Sequence, residues 1–77
     1  MDRGYAHLKK LIASNMRQAR KVAGISQEEL AFRAEVDRTY VSQIERAVGN
    51  PSLLILYKLG KALRMGPAEL LMQRRRG

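Results

Sequence analysis

The sequence predicts an all-α fold of five short helices, and three observations carry that expectation. Apolar residues recur at helical spacing over 7–23 and 53–63, and no stretch alternates as a strand would. Ser26 precedes Glu29 by three residues, a capping box that opens a helix at Gln27. Asn50-Pro51 and Gly66-Pro67 punctuate the C-terminal half as turn signals.

The chain's 77 residues make one domain, and 45% hydrophobic residues suffice for a small core. Without cysteine there is no disulfide and no thiolate metal site, so helix packing or self-assembly must supply stability. No apolar run is long enough for a signal peptide or a membrane span, which sets a cytoplasmic expectation with no membrane partner. A net charge of +8 attracts polyanions and makes such association sensitive to salt.

Residues 1–6 read as a flexible leader, because Gly4 gives no reason for an early helix. Over 7–23, Leu8, Leu11, Ile12, Met16, Ala19, Val22 and Ala23 share one face, and Lys9, Lys10, Arg17 and Lys21 lie on the other. Gly24 ends this helix at the position where a left-handed backbone costs least. Asn15 falls within the apolar stripe and is expected at its edge, bonded to backbone or water. His7, the sole histidine, has no second ligand nearby and reads as a surface residue.

Helix 2, over 27–34, places Leu30, Ala31 and Ala34 on one face. Glu35 and Val36 form a turn, and Asp37 caps helix 3 over 38–46. There Val41 and Ile44 project toward a core, while Thr39, Ser42, Gln43 and Arg46 fall on the opposite side with no acid among them. Such a face holds the donors and acceptors that read base edges in a DNA major groove. Ser52 or Asn50 can cap helix 4, over 53–63, with Leu53, Leu56, Leu59 and Leu63 as core positions. Gly60 in its interior costs roughly 1 kcal/mol relative to alanine, which points to a close helix contact. Pro67 suits the first position of helix 5, over 67–73, with Leu70 and Leu71 on its apolar side; a basic tail occupies 74–77. Phe32 and Leu54 stand as apolar residues on otherwise polar faces.

SQEELA, followed by VDRTYVSQIER and NPSL, resembles the Cro/C1-type (XRE) helix-turn-helix family of bacterial and phage DNA-binding regulators, over residues 8 to 72. The run DRTYVSQIER with NPSL is most similar to the small controller proteins of restriction–modification systems. The resemblance implies a five-helix, lambda-repressor-like domain over 7–73 with its helix-turn-helix at 27–46. It assigns base contacts to Arg38, Thr39, Ser42 and Gln43, and backbone contacts to Gln27, Tyr40, Arg46, Asn50 and Ser52. It pairs Arg20 with Glu45 as a structural ion pair. Glu35, Ala47 and Arg64 stand where the family favours glycine, and Gly49 stands where it usually carries a basic residue.

The implied partner is double-stranded DNA, read as a pseudo-palindromic operator by a homodimer with half-sites about 34 Å apart. The dimer surface expected is Leu54, Leu63, Met65, Leu70, Leu71 and Met72, and a second regulatory protein is a further expected partner. No cofactor, metal or small-molecule ligand is expected. One histidine, no cysteine, no paired carboxylates and no glycine-rich phosphate loop argue against an enzyme. The competing reading is a protein-interaction module, such as an antitoxin or a bridging factor. A non-specific DNA coater is a third.

Overall fold

Local capping decides where most of these helices begin, and one backbone motif decides where they stop. In the computed structural model, which describes residues 3–73, the order is α1 (Arg3–Ala23), α2 (Gln27–Ala34), α3 (Arg38–Glu45), α4 (Leu53–Ala62) and α5 (Pro67–Leu70). The described residues contain no strand. Ser26 Oγ accepts from the Glu29 amide at 3.0 Å, Asp37 Oδ1 from Thr39 at 2.8 Å, and Ser52 Oγ from Ile55 at 3.1 Å. Gly66 has no side chain to cap α5; instead the Glu69 carboxylate accepts from its amide at 2.8 Å. The other capping box is half-formed, because the Glu29 carboxylate turns to Arg33 at 2.8 Å.

The first four helices end alike. In each, the amide just after the left-handed residue reaches back five residues, and that residue's own amide reaches back three, as in a Schellman motif. The pairs are Ile25 to Arg20 with Gly24 to Lys21, Val36 to Ala31 with Glu35 to Phe32, Val48 to Gln43 with Ala47 to Ile44, and Met65 to Gly60 with Arg64 to Lys61. The motif needs a left-handed residue. Gly24 supplies one, but Glu35, Ala47 and Arg64 occupy the other three at φ 58–59°. These are the three positions where the sequence lacks the family's glycine.

Met16, Leu30, Val41, Leu59 and Leu70 are fully buried and join Ile12, Ile44 and Ala34 in one core to which α1 through α5 all contribute. Gly60 packs where a Cβ would lie 2.9 Å from the Met65 carbonyl and 3.3 Å from Leu70 Cδ1, so the close contact is with the α4–α5 turn and α5.

Several sequence expectations are corrected. α1 begins at Arg3, not His7, so residues 3–6 extend the helix rather than forming a leader; Tyr5 and Lys9, one turn apart, stack and anchor that turn. Asn15 is not at an edge: it is 1% exposed, and its Nδ2 donates to the carbonyls of Leu70 at 2.8 Å and Met72 at 2.9 Å. Those bonds hold the chain where α5 stops, three residues short of the expected end. Val22 is 77% exposed and Leu53 82%, so neither joins the core that the sequence assigned them to. Leu70 is buried beneath Gly60 and has no surface to offer a second copy. The basic tail lies outside the described residues.

Two substitutions separate these effects. A left-handed residue other than glycine costs about 1–2 kcal/mol, and glycine gives back about 0.5–1 of that through its looser unfolded chain. Glu35→Gly and Arg64→Gly should therefore each raise unfolding free energy by up to about 1 kcal/mol in urea melts. Gly60→Ala should lower it by about 1–3 kcal/mol, since the clash with backbone outweighs the gain in helix propensity.

Candidate nucleic-acid interface

α3 is held on the core by one side only. Val41, Ile44 and Glu45 are buried, while Arg38, Thr39, Tyr40 and Arg46 are exposed and Ser42 and Gln43 half-exposed. Its first turn contains no acid. Asp37, the cap, is fully exposed. Hydrogen bonds from the Thr39 side chain and then its amide hold its carboxyl below the ordinary value near 3.8.

The one acid within α3 is turned inward and neutralised. Glu45 is 5% exposed, and its carboxylate accepts from Arg20 Nε at 2.7 Å, Arg20 Nη2 at 3.0 Å and Gln27 Nε2 at 3.1 Å. Arg20 Nη1 reaches the Ile25 carbonyl at 3.0 Å, and Arg17 Nη1 donates to the Glu45 carbonyl. Arg20 and Glu45, named from the sequence as an ion pair, are thus the centre of a network joining α1, α2 and α3. The hydrogen bond to Glu45, more than the coulombic attraction, holds the Arg20 guanidinium above its ordinary pKa against the opposing effect of burial.

Gln27, which the resemblance assigns to the DNA backbone, donates its amide nitrogen to the Glu45 carboxylate at the end of α3. Ser52 Oγ accepts from the Ile55 amide at the α4 cap and keeps its O–H to donate. Asn50 Oδ1 accepts from Tyr5 Oη at 2.7 Å, a contact hidden from sequence because it spans 45 positions. Gln43 sits beside Gly49, where a Cβ would come 3.3 Å from Gln43 Oε1. Arg46 Nε lies 3.4 Å from the Ser42 carbonyl, along its own helix. Arg38, Thr39, Ser42, Gln43 and Arg46 therefore present one surface of donors and acceptors, with Tyr40 at its flank.

The apolar surface is elsewhere. Of the residues named for a dimer face, Leu54, Leu71 and Met72 are exposed, and Leu63 and Met65 are half-buried. Leu63, Met65 and Met72 line an open trough with Ala19, Val22 and Ala23. Phe32 is 79% exposed on α2. Among the described residues no cluster of histidine, cysteine, aspartate or glutamate could hold a metal, and no helix is long and apolar enough to cross a membrane.

Comparison with known proteins places this geometry in context. Residues 16–70 match the family HTH_3, helix-turn-helix. The chain is 41% identical over 66 residues to the control protein C.BamHI of Bacillus amyloliquefaciens, covering 84% of this chain and 82% of that one. The crystal structure of the hypothetical transcription factor NHTF from Neisseria superposes with a TM-score of 0.81 at 43% identity, over 84% of this chain and 75% of that one. The restriction–modification controller protein C.AhdI from Aeromonas hydrophila gives a TM-score of 0.76 at 40% identity, over 80% and 94%.

The two ion pairs differ enough in burial to predict different costs. Glu29 and Arg33 are about half-exposed at an i,i+4 spacing, worth about 0.3–0.5 kcal/mol. Glu45→Ala strands Arg20 in a largely buried site and should cost about 3 kcal/mol, against under 1 for Glu29→Ala, measured by denaturant unfolding. The lowered Asp37 pKa means that its capping contribution is present above pH 3.8 and is lost as pH falls through the lowered folded value. The stability gap between the wild type and Asp37→Asn should therefore narrow below that pH in acid melts; a constant gap would contradict the cap's ionisation.

Proposed function

The chain belongs to the Cro/C1-type (XRE) helix-turn-helix family HTH_3, and from that premise we propose that it is a transcriptional regulator that reads a specific double-stranded DNA sequence with α3. The observation that carries the reading is the asymmetry of α3. Its single acid is buried against Arg20, so the outward face offers polar and cationic groups to a polyanion without a repelling charge. Gln43 has the two-pronged amide that pairs with adenine N6 and N7, and Arg38 the fork that suits guanine or a phosphate. The Thr39 methyl suits a thymine methyl. Tyr40 and Arg46 flank this face and suit phosphates, which position the protein without reading sequence.

The working form is a homodimer on a pseudo-palindromic operator. One such module buries too little DNA surface for a specific complex of useful affinity, and doubling it on a two-fold axis supplies the rest. Leu54, Leu71 and Met72, with the trough lined by Val22, Leu63 and Met65, form the apolar surface available for self-association. The controller relatives C.BamHI and C.AhdI favour a control protein of a restriction–modification system as its setting. A second regulatory protein would then be an additional partner, not the source of specificity.

Selection from a random duplex pool at physiological salt should enrich a palindrome whose half-sites repeat about 34 Å apart. Gln43→Ala should relax preference at one position per half-site and cost about 1–3 kcal/mol there, with the fold intact by thermal melting. Enrichment that is indifferent to Thr39→Ala and Gln43→Ala would reject α3 as the reading face. No enrichment at all would favour a protein-binding role such as an antitoxin.

A further inference from the structure

The first two turns of α1 lie against the loop that follows α3. Tyr5 Oη donates to Asn50 Oδ1 at 2.7 Å, and Lys9 Nζ donates to the Gly49 carbonyl at 3.3 Å while sitting 5.3 Å from the Tyr5 ring centroid. The same loop touches the reading face, because a Cβ at Gly49 would crowd Gln43 Oε1 at 3.3 Å. From 47 to 57 the chain carries no charged residue. Gly49 is left-handed at φ 74°, so any side chain there is both strained and pressed on Gln43. Arg46 lies back along α3 against the Ser42 carbonyl, and the cation that reaches the loop itself is Lys9 of α1.

What these groups offer together is a charge and an oriented amide. Tyr5 takes one lone pair of Asn50 Oδ1 and so fixes which way the carboxamide lies, with its NH2 left to donate. Lys9 has spent one N–H on Gly49 and has two more, with no capacity to accept. A cationic donor beside an oriented amide donor matches an anionic oxygen.

We propose that Lys9 and Asn50, with Tyr5 orienting the Asn50 carboxamide, clamp a backbone phosphate next to the base pairs read by α3. This rests on α3 as the reading helix. α1 thereby supplies the charge that the loop lacks, and Tyr5 is a positioning residue that does not itself touch DNA. The extension of α1 back to Arg3 is what makes the clamp possible, since a helix starting at His7 would leave Tyr5 unplaced.

The test measures affinity for the selected duplex against salt concentration, with thermal melts to establish folding. Lys9→Gln keeps a donor for Gly49 but removes the charge. It should reduce the slope of log affinity against log salt by about 0.9 and weaken all sequences alike. Tyr5→Phe should weaken binding several-fold with the slope unchanged, because no charge is lost. Lys61→Gln is the charge-matched control, roughly 12 Å along α4 from the loop, and should leave the slope unchanged. If Lys9→Gln behaves as Lys61→Gln does while Gln43→Ala still relaxes specificity, the clamp is wrong and the reading of α3 stands. If Gln43→Ala also leaves sequence preference untouched, the reading of α3 falls and the clamp falls with it.

Discussion

The buried carboxylate of Glu45 is the constraint on which the rest of this small molecule depends. Three nitrogen donors from α1 and α2 converge on it, and Arg17 takes the carbonyl of the same residue. Burying the pair yields little net stability, because the desolvation of two charges offsets most of their attraction. Its value is positional. The angle of α3 about its own axis decides which side chains face outward, and a rotation by one residue would turn Glu45 outward and Gln43 toward the core. Loss of either partner leaves the other charge without its counter-ion at a poorly solvated position, so the pair favours one orientation of α3.

The ends of the helices add to this stiffness. The chain leaves α1, α2, α3 and α4 through the same closed pair of backbone hydrogen bonds, which fixes its exit direction from each helix. Three of the four turns achieve this without glycine, accepting left-handed Glu35, Ala47 and Arg64. The chain therefore stores local strain of about 1–2 kcal/mol at each of these points. A core built from Met16, Leu30, Val41, Leu59 and Leu70 holds them in place. Gly60 is retained for a different reason, since its lack of a side chain lets the α4–α5 turn lie directly on α4.

Legibility in the sequence followed the range of each interaction. Ser26, Asp37 and Ser52 bond amides two or three residues ahead, so the starts of α2, α3 and α4 were readable from neighbours alone. The left-handed turns were readable as departures from the family's glycines. The start of α1 was not, because what anchors its first turn is a bond from Tyr5 to a residue 45 positions away. Asn15 was misplaced for the same reason: its partners lie 55 and 57 positions on. Periodicity identified the apolar stripe of α4 but not where the core ends, so Leu53 was counted inside and lies outside. At the interface, the facing of Thr39, Ser42 and Gln43 was given by helical spacing, whereas the role of Gln27 as a ligand of Glu45 required the tertiary contact.

The most direct test of this account is a nuclear magnetic resonance titration of the labelled protein with its selected duplex, following backbone amides and the Arg20 Nε–H resonance together. Residues 38–43 should shift strongly. The Arg20 signal should remain protected throughout, because the bond to Glu45 that orients α3 persists on DNA. Shifts confined to the exposed apolar residues of α4 and the segment after α5, with 38–43 unmoved, would contradict it and make that apolar surface the site of recognition.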